Sequence, residues 1–113
     1  MRLESKKHLE DVRQAIDKIR AFVGQHDFDA YCESDLLRSA VERQFEIIGE
    51  ALNRLKKTES AVLDLIDDFQ RIISFRNILI HGYDLVDDPI VWDVIQSDLP
   101  RLEKQVEELL TRD

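Results

Sequence analysis

Apolar residues along this chain recur at three- and four-residue intervals, the period of a helix that buries one face. Residues 3–23 carry Leu9, Val12, Ile16, Ile19 and Val23 in that register, and Gly24 follows as a stop signal. Residues 25–33 break the pattern and read as a connection. A second helix starts from a cap at Ser34 or Asp35 and runs to about residue 57. Its stripe is Leu37, Ala40, Val41, Ile48, Ala51, Leu52 and Leu55, flanked by Phe45 and Ile47. A shorter helix is expected over residues 60–66 and another over 68–81. Asp87 or Asp88 followed by Pro89 announces the last helix, because proline is tolerated in a first turn. It should reach about residue 110, with Pro100 bending or splitting it near Ser97. The predicted architecture is all-α: an antiparallel bundle of four main helices plus a short extra one.

Composition agrees with that picture. The 113 residues are 43% hydrophobic and 35% charged, with only 3 Gly and 2 Pro, as expected of one helical domain spanning residues 1–113. No apolar run is long enough for a bilayer, and the charged opening Met1 to Lys7 lacks the apolar centre of a signal peptide. The single cysteine, Cys32, forms neither an internal disulfide nor a thiol-rich metal site. A cytoplasmic protein is the simplest expectation. The net charge of −8 argues against a general nucleic-acid coat, where affinity comes from neutralising phosphates. It leaves room for a small RNA site with a focused positive field.

Two positions change the picture. Gly49 lies inside the second helix, opposite its apolar stripe and among Glu42, Arg43, Glu46, Glu50 and Asn53. A mid-helix glycine costs roughly 1 kcal/mol relative to alanine, so Gly49 marks close approach by another helix unless it is merely tolerated on a solvated face. On the helix over 68–81, a wheel of about 100° per residue sets Phe69, Ile72, Ile73, Leu79 and Ile80 around one direction. Arg76 falls at the centre of that arc, an expensive place for a charge without a partner. Glu46 and Glu50 are the candidate partners.

Arg76 belongs to the densest chemistry of the chain, Arg76-Asn77-Ile78-Leu79-Ile80-His81-Gly82-Tyr83. Arginine stabilises charge on phosphoryl oxygens, and histidine exchanges protons near neutral pH. A helix C-terminus favours the charged imidazole. If the site is catalytic, the economical reaction is metal-independent RNA cleavage. A base takes the ribose 2′-hydroxyl proton, that oxygen attacks the adjacent phosphorus, and an acid protonates the leaving 5′-oxygen. His81 is the acid or base, Arg76 neutralises the phosphoryl oxygens, and Asn77 orients the imidazole or binds phosphate. The products are 2′,3′-cyclic phosphates. Arg76 and His81 diverge by about 140° on one straight helix, which itself suggests a site completed by a second copy. The plain alternative is an internal ion pair at Arg76 and a helix end at His81.

The string Arg-Asn-x-x-x-His-x-Tyr, over Arg76 to Tyr83, resembles the signature of the HEPN superfamily, and more narrowly that of the HepT-like ribonuclease toxins. The segment Ala40 to Leu52, and Ile90-Val91-Trp92 with Asp98-Leu99-Pro100, are similar to the family's second and last helices. The resemblance implies a helical homodimer that cleaves RNA in a cleft between protomers, with Arg76 and His81 catalytic and no cofactor. It also implies the toxin part of a toxin–antitoxin module. Its partner is then an MntA-like minimal nucleotidyltransferase antitoxin that adenylylates Tyr83, putting bulk and negative charge into the cleft. Asn77, Glu46 and Glu50 are expected to support the site. The rival reading, favoured by the acidic surface, is a catalytically silent helical module that binds a nucleotidyltransferase or nucleotide.

Other candidates are weaker. His8 and His26 are remote from any matching metal-ligand set. Asp84, Asp87 and Asp88 are explained by helix capping and a solvated turn, and Trp92 by the core or an interface.

Overall fold

The computed structural model describes residues 1–67, 69–81 and 87–112, with Ile80 and His81 described by backbone only. Asp68, the segment 82–86 and Asp113 lie outside it. Helix α1 (Leu3–Val23) buries the five predicted positions together with Ala15 and Ser5. It ends at Gly24, whose φ of +51° suits a residue without a Cβ and whose N–H bonds the Arg20 carbonyl at 2.8 Å.

The stretch read from sequence as a connection contains a short helix, α2 (Phe28–Glu33). Asp27 caps it, its Oδ1 accepting from Ala30 N at 2.8 Å. Tyr31 then anchors it with a fully buried ring. Six residues are too few to display helical periodicity, and that is why the pattern missed it.

Helix α3 (Asp35–Leu63) starts from the Ser34 hydroxyl, which accepts from Leu37 N at 3.1 Å. It breaks at Glu59, where the backbone is extended (φ −159°, ψ 79°). The expected shorter helix over 60–66 is therefore one further turn of α3, closed at Leu63 instead of reaching residue 66. The start of α1 braces the break. Glu59 Oε1 accepts from Arg2 N at 2.9 Å and Ser5 Oγ at 2.7 Å, and Arg2 Nη1 donates to the Thr58 carbonyl at 2.9 Å.

Helix α4 (Phe69–His81) follows. Its approach is fixed by Gln105, which donates to Asp67 Oδ2 at 2.9 Å and accepts from Asp67 N at 3.1 Å. The last element is α5 (Asp88–Asp93), a π-helical turn (Val94–Asp98) and α6 (Leu99–Thr111). The π turn is the form taken by the bend predicted at Pro100. Proline has no N–H for the Gln96 carbonyl and its ring crowds that group, so the winding loosens and Leu99 N donates back to Val94 O.

Helix α3 is the central element, with α1 along one side and α4 on the other, while α6 packs on α1. Phe45 of α3 meets Phe75 of α4 edge-on at 5.1 Å, worth about 0.5–1.5 kcal/mol beyond its buried area. Trp92 tilts against Phe28 at 5.9 Å and Tyr31 at 5.4 Å, docking α5 on α2. The all-α bundle expected from sequence is thus the observed architecture. Among the described residues, no helix is long and apolar enough to cross a membrane.

Candidate functional site

The geometry of the motif follows from how α4 lies on α3. The buried stripe of α4 is Ile72, Phe75 and Leu79, set by the Phe45–Phe75 contact. Arg76, itself half-buried, lies between that stripe and the half-buried Phe69 and Ile73, within the core-facing arc as the wheel suggested. Gly49 faces it. A Cβ built on Gly49 would stand 2.4 Å from both Cβ and Cγ of Arg76 and 3.0 Å from Cδ. The arginine stem thus crosses bare α3 backbone, which bears out the close approach inferred from a mid-helix glycine.

The expected ion pairs of Arg76 with Glu46 and Glu50 are not made. Arg43 Nη1 donates to Glu46 Oε2 at 3.2 Å, and Arg54 Nη2 to Glu50 Oε1 at 2.7 Å. Partners three and four residues away on the same helix win because they need no tertiary alignment. Among the described residues, no carboxylate lies within ion-pair distance of Arg76. Its Nη1 donates to Asn77 Oδ1 at 3.3 Å, and its Nε is buried without a hydrogen-bond partner. The site therefore holds a permanent cation whose charge is not neutralised by the acids beside it.

His81 is the last residue of α4, one turn beyond Asn77. Its side chain, and all of Tyr83 and Asp84, lie outside the described residues. The other histidines have local partners. His26 Nδ1 is 2.7 Å from the Val23 carbonyl at the end of α1, and His8 Nε2 is 3.4 Å from Thr58 Oγ1.

Two groupings went unnoticed in the sequence. Asp98, only 5% exposed, lies in the π turn with its carboxylate 3.3 Å from Arg71 Nε and 3.5 Å from Arg101 Nη2. Arg71 belongs to α4, so this contact links the motif helix to the π turn. The second grouping surrounds the start of α5. Glu42 is held above the usual carboxylate range by burial first and by the Asp88 charge second. Burial, then Glu42 and Asp88, likewise raise the Tyr31 phenol, whose hydroxyl is buried without a partner. Asp87 is the residue before α5 but makes no side-chain cap.

Residues 12–109 match the family described as Ribonuclease HepT-like. The chain is 30% identical to "Probable ribonuclease HepT" of Thermococcus cleftensis, with 96% of this chain and 98% of that protein covered. It is 32% identical to a provisionally assigned RNase of Caldanaerobacter subterraneus subsp. tengcongensis, with 94% of each chain covered. A similarly assigned RNase of Methanocaldococcus jannaschii is 28% identical over 90% of this chain and 93% of its own length. Among solved structures, none matches the chain significantly. A match over nearly the whole fold, on a chain whose α4 ends in Arg-Asn-x-x-x-His, makes this protein a member of the HepT-like ribonuclease family.

Proposed function

We propose that this chain is the toxin of a toxin–antitoxin module and a metal-independent endoribonuclease acting through Arg76 and His81. The observation that carries this reading is the guanidinium of Arg76. It is seated on Gly49, contacted by Asn77, and has no counter-carboxylate among the described residues. A cation left uncompensated in an acidic chain suits an anionic guest, and the family makes RNA that guest.

In the proposed reaction a base takes the 2′-hydroxyl proton, and the freed oxygen bonds to phosphorus as the 5′-oxygen departs with a proton. Arg76 stabilises the charge that builds on the phosphoryl oxygens. Asn77 orients the reacting groups. Glu46 and Glu50 support the site by staying bound to Arg43 and Arg54, so that neither quenches Arg76. His81 carries a proton in one of the two transfers, and a second copy of the chain supplies the other group across a twofold axis. Exposed Ile78 (45%) gives α4 an apolar contact for that second copy.

Control is assigned to an MntA-like nucleotidyltransferase. The Tyr83 oxygen attacks the α-phosphorus of ATP, pyrophosphate leaves, and the AMP left behind blocks the cleft by bulk and repulsion. Replacing Tyr83 by Phe should abolish AMP acceptance, read as intact mass after incubation with the partner and ATP, while sparing most cleavage. An adduct persisting in that variant would remove the assignment.

The deciding experiment is cleavage of RNA by the unmodified chain in excess EDTA, beside His81→Ala. Cleavage with cyclic-phosphate ends, lost in the variant while the helical fold persists, is the expected result. No cleavage by folded, unmodified protein would instead favour a silent module that binds a nucleotidyltransferase.

A further inference from the structure

We infer that Gly49 is a positioning residue of the ribonuclease site, an inference that rests on the ribonuclease reading above. The missing Cβ of Gly49 provides the seat from which Arg76 presents its guanidinium. Three observations carry this. First, the space that a side chain at position 49 would fill is taken by one residue: the three nearest atoms are Cβ, Cγ and Cδ of Arg76. A glycine serving only to bring two helices together would serve as well beneath any apolar side chain. Second, the seat is a poor bargain for stability alone. The Arg76 Nε is buried there without a hydrogen-bond partner, whereas an apolar side chain at 76 would cross the same glycine with no polar group to desolvate. Third, the acids one turn before Gly49 and directly after it, Glu46 and Glu50, are engaged by Arg43 and Arg54 of their own helix. The seat is therefore bare of side chain and of available negative charge at the same point.

The consequence is steric before it is chemical. Carbon atoms in contact prefer about 3.5–4.0 Å, so a Cβ standing 2.4 Å from Cβ and Cγ of Arg76 forces a displacement on the order of 1 Å. That displacement moves either the arginine stem or α4 as a whole. A misplacement of about 1 Å in a group that stabilises a transition state costs on the order of 10²-fold in rate. A contact used chiefly in the transition state is lost from kcat, while KM changes little. A displacement of the stem acts through the guanidinium that the stem carries, whereas a shift of the whole of α4 acts whatever the head group at position 76.

The test is a four-member cycle of the intact chain, Gly49→Ala, Arg76→Lys and the double variant, measured on a fluorescent single-stranded RNA oligonucleotide in EDTA. Lysine keeps a positive, unbranched stem but lacks the fork of donors being aimed. We expect Gly49→Ala to lower kcat about 10²-fold with KM within about threefold. In the Arg76→Lys background the same change should cost less than about fivefold, the non-additivity of two residues acting as a unit. Equal losses in both backgrounds would overturn the inference, because general damage to the crossing is indifferent to the head group at 76. Should Gly49→Ala fail to fold, the swap Gly49→Ala with Arg76→Gly decides, since it moves one Cβ from α4 to α3. Return of the swap's melting temperature to within a few degrees of the parent supports the seat, and failure to return overturns it. The parent chain keeps the two levels apart. If it cleaves no RNA the ribonuclease reading fails, whereas equal losses in a cleaving protein sink only the role of Gly49.

Discussion

Helix α3 departs from ordinary helix chemistry at two places, and they are resolved in opposite ways. At Glu59 the helix breaks, which strands backbone groups and places a carboxylate at the break. The start of α1 answers it: Arg2 N and Ser5 Oγ donate to the carboxylate, and Arg2 Nη1 donates to the Thr58 carbonyl. At Gly49 the helix is unbroken but bare, and the cation crossing it keeps a buried, unpartnered Nε and meets no acid among the described residues. A corner that exists for the fold closes its polar accounts locally, as buried polar groups normally do. The crossing at Gly49 leaves a charge without a carboxylate partner among the described residues, which is what the proposed anionic guest requires.

The widest separation between the two places should come from a pair of truncations. Arg76→Ala is expected to lower RNA cleavage by about 10²–10³-fold, the scale of removing a donor to a developing phosphoryl charge, while the helical fold remains. Ser5→Ala removes one of two donors to Glu59 and should leave cleavage unchanged. It should cost about 1 kcal/mol, seen as a melting temperature lower by about 4–8 °C. Loss of stability without loss of cleavage in Arg76→Ala would erase the distinction.

A smaller effect concerns pH. Hydrogen bonds from the Arg2 backbone and then from Ser5 hold the Glu59 carboxylate below its usual range, whereas burial and then Asp88 hold Glu42 above it. The signs are opposite. For a lowered carboxylate the folded state binds its proton less readily, so the brace at Glu59 contributes above the ordinary carboxylate range and is lost as pH falls. For a raised carboxylate the folded state prefers the proton, so charging Glu42 opposes folding once pH rises through its folded value. Glu42→Gln should therefore raise the melting temperature at pH 7 and do nothing at pH 3. Equal gains at both would point to packing instead of charge.

Much of this was legible from the chain itself. The five apolar positions of α1, the cap at Ser34, the break ahead of residue 60 and the bend at Pro100 all follow from local chemistry. Gly49 was informative because its cost has to be offset by packing, and only a close neighbour provides that. Properties that depend on the mutual rotation of two helices were less legible. The wheel for α4 placed Arg76 on the core-facing arc but left out Phe75, which the ring of Phe45 takes into the core. Glu46 and Glu50 stay with arginines of α3 itself, which are always within reach. The buried Asp98 was invisible for a related reason: the π turn, not the ideal helical period, aims it at Arg71.

The aromatic contact that docks α5 on α2 also makes the molecule its own instrument. Trp92 is the single tryptophan of the chain and tilts against Phe28 and Tyr31, a few residues beyond the segment that carries Tyr83. Its half-buried indole would gain solvent if α5 left α2, which shifts indole emission. The docking of α5 on α2 can therefore be followed in real time by intrinsic fluorescence, with no label attached.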